Sequence, residues 1–320
     1  MSSWDSAMKE IGGYFGLEEL PNHEYHQGAL AVNSGRNALV YLIRARKIRK
    51  LYIPFYLCDS VSCVCEREYC PCEQYRISAD FRPLFKKRLA EDEWLYIVNY
   101  FGQMENELEF KQWYRNIIID NVQAFFRKPA SHVDTIYSCR KFFGVPDGGY
   151  VYSDAYLDGL VTDVSKDRMT HVLGRYEGVA SEYYQMFIHN DESFYDMELK
   201  LMSRLTHNIL GAIDYGQVKK RRESNFGYLH QMLGVYNKLS IQCPEGPYAY
   251  PFYCKDGMVL KRKLAIEKIY IPTLWPDAVQ YGGLEKDYSE NILPLPCDQR
   301  YDIEDMKYML NKIFKYIEKK

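Results

Sequence analysis

Short apolar runs alternate with helix-like stretches from residue 30 to about residue 155. GALAVNSG (28–35) leads into RNALVYLIRARK (36–47), where apolar residues recur at helical spacing. KLYIPFY (50–56), WLYIVNYFG (94–102), NIIID (116–120), VDTIYS (133–138) and GGYVYS (148–153) read as strands, and ENELEFKQWYRN (105–116) as an intervening helix. Short apolar strands alternating with helices predict an α/β fold, its mostly parallel central sheet flanked by helices on both faces.

After residue 155 the texture changes. Residues 160–236 read as helical throughout, as in MELKLMSRLTHNIL (197–210) and YGQVKKRRESNFGYLHQML (215–233). Pro and Gly then gather in CPEGPYAYPFY (243–253). Beyond lies a small C-terminal α+β domain, with strands expected at YAYPFYC (248–254) and KIYIP (268–272) and a closing helix at 303–320. The organisation expected is a large α/β domain over 1–236, with an N-terminal arm and a helical connector, and a small domain over 237–320.

Charge narrows the functional classes. The 320 residues carry a net charge of −2 with Lys and Arg scattered, which predicts no nucleic-acid or anionic-membrane partner. No window approaches the apolar length of a membrane span. The opening MSSWDSAMKEIGGYFGLEEL has no basic stretch followed by an apolar segment, so a secretory leader is not expected there and a cytoplasmic location is. Five of the nine cysteines cluster as Cys58, Cys63, Cys65, Cys70 and Cys72. Their C-x4-C-x-C-x4-C-x-C spacing lacks the paired C-x2-C knuckles of common zinc sites, so free thiols and no metal are expected.

Three places at predicted strand ends carry candidate chemistry, because ligands of α/β sheets bind outside the carboxyl ends of strands. In NSGRNAL (33–39) a Gly-containing turn opens a helix, so backbone N–H groups at Gly35, Arg36 and Asn37 would face an anion; Ser34 would equally serve as an ordinary cap. IIIDNVQAFF (117–126) ends a strand at Asp120, either a turn cap or a carboxylate awaiting a cation such as a protonated pyridine nitrogen. Gln123 would then reach a phenolic oxygen on the same ring. YSCRKFFGVPDGGYVYSD (137–154) offers the hydroxyl of Ser138, the charge of Arg140 (or a solvated side chain there) and Lys141, either a loop lysine or an amine ready to form a Schiff base. Phosphate cup, ring partner and amine together are what pyridoxal 5'-phosphate requires.

The series NSGRNAL … LYIPFY … YFGQ … IIIDNVQA … YSCRKFFGVPDGGYVYSD resembles the DegT/DnrJ/StrS sugar aminotransferases, fold-type I pyridoxal-phosphate enzymes, over most of the chain. The resemblance implies that Lys141 is the Schiff-base lysine, Asp120 the acid on the pyridine nitrogen and Gln123 the contact to the phenolic oxygen. Ser138 falls on the phosphate serine, and Gly35 with Arg36 on the Gly-Thr phosphate turn. Arg36 replaces the usual Thr or Ser, and Cys58 stands where an aromatic residue often stacks on the ring, leaving Tyr56 or Cys58 for that place. Arg204, in MSR (202–204), falls in the segment that reaches the partner subunit's site. The expectation is a homodimeric aminotransferase that moves an amino group from an amino acid, glutamate being the expected donor, to a keto-sugar nucleotide for surface-polysaccharide or amino-sugar biosynthesis. A same-fold dehydratase or lyase, and a pyridoxal-phosphate-binding regulatory protein without turnover, are the alternatives. Lys141 speaks against the dehydratase branch, which has histidine there.

Overall fold

The structure, a computed structural model, describes residues 11–317. Part of the N-terminal stretch read for a leader (1–10) and the end of the predicted closing helix (318–320) lie outside the described residues. The first half follows the alternation of the sequence: β1 (Leu30–Val32), α1 (Gly35–Ala45), β2 (Lys50–Pro54), α2 (Asp59–Arg67), β3 (Cys72–Ile77) and a short β4 (Pro83–Leu84). Then come β5 (Glu93–Val98), α3 (Glu107–Trp113), β6 (Ile117–Asp120), β7 (Asp134–Ser138) and β8 (Gly149–Tyr152). Helices α4 (Thr170–Glu177), α5 (Tyr184–Ser193), α6 (Arg204–Gly211) and α7 (Tyr215–Leu233) follow. The C-terminal part contains β9 (Tyr250–Tyr253), α8 (Gly257–Ile266), α9 (Gly283–Asn291), β10 (Ile292–Leu295) and α10 (Ile303–Ile317).

Eight strands form one mixed sheet in the order β1-β8-β7-β6-β5-β2-β3-β4. The middle of the sheet, β7-β6-β5-β2-β3, is parallel, while β8 runs antiparallel to both of its neighbours. The fold class expected from the sequence is therefore present. Ile117, Ile118 and Ile119 of β6 are completely buried, as a central strand covered on both faces requires. Each such side chain contributes about 1.5–3 kcal/mol by leaving water. Helix α1 is buried over seven consecutive residues, Asn37 to Ile43. One hydrophobic core runs from Leu51 and Ile97 of the sheet through Phe226 and Leu233 of α7 to Leu295 and Met306.

Two expectations are corrected. KIYIP is not a strand: Lys268 turns into the left-handed region at φ 61° to end α8, and the partner of β9 is β10. ILPL (292–295) is not among the strands expected from the sequence. In this two-stranded sheet Pro294 faces Pro251, so neither proline is required to donate to a strand on its other side, and the carbonyl of Pro251 accepts there from Asn237 Nδ2 at 2.8 Å. Nor are residues 160–236 helical throughout. Leu201 is extended and bridges Val32 and Thr162, and α6 begins only where the hydroxyl of Ser203 accepts from Thr206 N.

Candidate active site

Strand register brings the three sequence motifs to one edge. Strands β6 and β7 are parallel, so Asp120 and Ser138 end on the same side of the sheet. Because β8 reverses between β7 and β1, β1 also ends there, and Gly149 pairs with Val32 on one side and Ser138 on the other. A Cβ on Gly149 would lie 2.7 Å from the carbonyl carbon and oxygen of Ser34 and 2.8 Å from Gly35 N. Gly35 in turn lies against Ser138, with 3.2 Å from its ideal Cβ to that of the serine. Close approach of three backbone segments, rather than an unusual dihedral at either residue, is what demands glycine at 35 and 149.

Asp120 is buried at the end of β6. Its Oδ2 accepts from Tyr96 Oη at 2.6 Å and its Oδ1 from Val122 N at 2.9 Å. Burial raises its pKa above the ordinary carboxylate value, and the two hydrogen bonds and the nearby Lys141 ammonium only partly oppose this. A carboxylate so placed gains from a cationic N–H partner. Gln123 is also buried; its Oε1 accepts from Phe101 N at 2.8 Å, while its Nε2 has no acceptor among the described residues. An orphaned buried amide N–H costs about 1–3 kcal/mol and is a donor kept for a ligand oxygen. Lys141 is exposed in the turn after β7, its Nζ 5.7 Å from the centroid of the Tyr248 ring. The next carbonyl, Phe142 O, accepts from Arg222 Nη2 at 3.1 Å and Gln299 Nε2 at 2.7 Å, which fixes the lysine's backbone.

The anion cup differs in detail from the one expected. Ser34 caps α1: its Oγ accepts from Asn37 N at 3.0 Å. Asn37 is thereby removed from the cup, its amide being taken up by the cap and its side chain by Asn33, Met197, Glu198 and Arg67. Gly35 and Arg36 keep their amides without an acceptor among the described residues, next to Ser138. Arg140 does not face solvent. It is largely covered, its side chain 13% exposed, and donates to Asp191 Oδ1 at 3.0 Å, and Arg36 donates to the same carboxylate at 3.2 Å.

Of the two ring-stacking candidates, Tyr56 is corrected by the structure. It is packed inside the core between Tyr100 (5.4 Å, stacked) and Trp275 (4.4 Å, edge-on), leaving no free face for a ligand. Cys58 is half-buried at the N-cap of α2, where its thiol donates to Asp59 Oδ1 at 3.2 Å. Arg204 lies apart from this cluster, 85% exposed and paired with Glu19. Sequence reasoning missed Tyr96, Arg222, Gln299 and Asp191, each far in sequence from the group it serves. It also missed Asp147, which accepts from Ser203 N and so positions the start of α6.

Among the described residues no group of His, Cys, Asp and Glu is arranged to hold a metal, and no helix is long and apolar enough to cross a membrane. The nine cysteines are free thiols, Cys65 and Cys70 buried and Cys72 exposed. Two hollows of about 410 and 320 Å³ open at the opposite edge of the sheet, beside Leu30 and Tyr156 and beside Trp94 and Ile117. Neither adjoins the chemistry above.

No family profile and no curated protein matches the sequence. Solved structures do match. NtdA from Bacillus subtilis, with bound cofactor PMP, is 11% identical with a TM-score of 0.65, covering 91% of this chain and 73% of its own. A DegT DnrJ EryC1 StrS aminotransferase from Brucella abortus is 15% identical with a TM-score of 0.58 (90% and 85%). PseC from Helicobacter pylori, an aminotransferase involved in the biosynthesis of pseudoaminic acid, is 14% identical with a TM-score of 0.60 (91% and 87%). Across nine-tenths of its length the chain has the fold of these aminotransferases.

Proposed function

We propose that the chain is a pyridoxal-phosphate-dependent aminotransferase of the DegT/DnrJ/StrS type. In this reading it transfers an amino group from an amino acid, glutamate first, to a keto-sugar nucleotide for surface-polysaccharide or amino-sugar biosynthesis. The observation that carries this reading is the buried pair at the end of β6: a carboxylate held only by neutral donors, and three residues on an amide donor with no acceptor among the described residues. One fits a protonated ring nitrogen and the other the ring's phenolic oxygen. Gly35, Arg36 and Ser138 would hold the phosphate, and Cys58 would pack near the ring. When bound, the cofactor supplies an aldehyde carbon that takes up amines and a ring that accepts an electron pair.

The residues divide the work. Lys141 would provide the amine that holds the cofactor; once the donor's amine has displaced it, its freed Nζ would take the proton from the donor's α-carbon and pass it to the cofactor's former aldehyde carbon. Asp120 keeps a proton on the ring nitrogen, and Tyr96 keeps the Asp120 carboxylate aligned. Arg222 and Gln299 hold the Phe142 carbonyl, so Lys141 swings on a fixed backbone. The lysine returns the proton on the way back, when the keto-sugar receives the nitrogen.

The same reading makes the protein a two-fold homodimer, its sites shared between subunits and Arg204 reaching into the partner's site. It finds support in the exposed apolar side chains of α4 and α5, with Tyr176 at 90% and Leu173 and Tyr184 above half exposure. Exposed apolar side chains gathered on two neighbouring helices are interface material. Protein loaded with pyridoxal phosphate is expected to absorb visible light and, after borohydride, to carry the cofactor on the peptide containing Lys141. Glutamate should bleach that absorbance, and one of a panel of keto-sugar nucleotides should restore it. Label on a different lysine, or no response to any amino acid, would refute the aminotransferase reading.

A further inference from the structure

Asp191, in the last turn of α5, takes part in none of the steps above, yet it bridges the walls of the phosphate cup. Its Oδ1 accepts from Arg140 Nη1 at 3.0 Å, its Oδ2 from Arg36 Nη2 at 3.2 Å and its carbonyl from Arg36 Nη1 at 3.1 Å. The two arginines grow from the two backbones that form the cup, one residue after Gly35 and two after Ser138. Their guanidinium planes are fixed by aromatic faces: Arg140 lies 4.5 Å over Phe194 and Arg36 4.5 Å over Tyr195. One carboxylate answers two guanidiniums, and Arg36 Nε is buried without a partner among the described residues. The neighbouring Arg168 is already paired with Asp163 at 2.7 Å. Its own Nε is buried and unpartnered among the described residues as well. Positive charge and donors are in excess.

We propose that Asp191 is an internal stand-in for the ligand's phosphate: it occupies the Arg36–Arg140 pair in the ligand-free protein and is displaced by a phosphate monoester. This rests on the cofactor reading above for the identity of the natural ligand. A phosphate monoester carries about −1.5 to −2 charges near neutral pH and three acceptor oxygens, so it matches two guanidiniums better than a single carboxylate does. Displacement is easy to arrange. The Asp191 side chain is 41% exposed and has a way out to water, while Phe194, three residues on, is fully buried and keeps the segment anchored. Burial alone would raise the pKa of Asp191, but Arg140 and Arg36 outweigh it and keep the group ionised, as a competing anion must be. Asp191 thereby sets the affinity of the cup and prevents two like charges from facing each other while it is empty.

The test is calorimetric titration of the full-length protein and of Asp191→Asn with three probes: inorganic phosphate, pyridoxal phosphate and pyridoxal. Removing the internal competitor should tighten inorganic phosphate and pyridoxal phosphate by roughly tenfold, about 1.4 kcal/mol, and leave pyridoxal unchanged. Arg36→Gln should weaken both phosphates and spare pyridoxal. Hydrogen exchange provides a second readout in the unaltered protein, where phosphate should speed exchange in residues 184–193. Phosphate affinity that is unchanged or weaker in Asp191→Asn overturns the proposal, because the aspartate would then orient the guanidiniums instead of competing for them. The two readings fail separately. If inorganic phosphate shows the expected gain but neither protein captures pyridoxal phosphate on a lysine, the anion exchange stands and the aminotransferase falls. Normal capture with no effect of Asp191→Asn removes the anion exchange and leaves the aminotransferase standing.

Discussion

Acid should undo this fold through one histidine. His26 is buried against the rings of Tyr137 (4.3 Å) and Phe125 (4.7 Å), donates from Nε2 to Phe125 O at 2.8 Å and accepts at Nδ1 from Tyr152 Oη at 3.2 Å. Both nitrogens are satisfied in the neutral ring. Burial, with Lys128 adding to it, lowers the pKa from 6.5 to about 3 against the opposing pull of the Phe125 carbonyl. The sign follows directly. The unfolded chain takes up a proton below pH 6.5 and the folded chain does not, so stability is full above that pH and is lost progressively down to about pH 3. Between pH 7 and pH 5 this one group should remove about 2 kcal/mol. His26→Gln keeps a donor toward Phe125 O and cannot titrate. Urea unfolding followed by circular dichroism, at pH 7.5, 6.0 and 5.0 and fixed protein concentration, isolates the effect as the difference between the two proteins. The wild type should start more stable and lose its advantage as the pH falls. A difference constant to within about 0.5 kcal/mol across that range would refute the reasoning.

Asp120→Asn should lower turnover by orders of magnitude while changing cofactor affinity much less, and should stabilise the ligand-free fold at neutral pH, because it removes a buried carboxylate whose pKa burial has raised. Near-normal turnover in that variant would reduce Asp120 to a turn cap. Gly149→Ala should cost about 1–3 kcal/mol and weaken phosphate binding, since its Cβ has nowhere to go beside Ser34. Gly227→Ala, inside α7 with open space around it, should instead gain about 0.5–1 kcal/mol; thermal melts of the two decide. Mixed chains carrying Arg204→Ala and Lys141→Ala should recover up to half the activity if Arg204 acts across the dimer. No recovery after subunit exchange would place that arginine outside the shared site.

The strands that position the chemistry are legible because they are short and mostly apolar: NIIID, WLYIV and VDTIY appear as β6, β5 and β7 almost to the residue. Their ends located Asp120, Gln123, Ser138 and Lys141 without further help. Direction was less legible, since a strand that runs backward between two parallel ones, as β8 does, has the same apolar pattern as one that does not. The choice between Tyr56 and Cys58 is not legible in the sequence, because a buried tyrosine and a ligand-facing one look alike until Tyr100 and Trp275 are seen around it. Asn37 looked like an anion donor because the cap that takes its amide depends on the rotamer of Ser34. Asp191 is not legible at all: its carboxylate meets Arg36 from 155 residues away, and a helical pattern does not say which distant group its last turn will reach.

The reversed strand β8 has a consequence for the growing chain. Strand β1 emerges from the ribosome early but pairs with residues 149–151 on one side and bridges Leu201 on the other, so it must wait without a partner until they arrive. Closing so long a loop is slow relative to the local pairings of β2, β3 and β5, which can assemble beforehand. Gly35 and Ser138 therefore come together among the last events of folding, when β8 slides in between. A nascent or misfolded chain that lacks this insertion has no cup, and phosphate capture would report on a finished sheet.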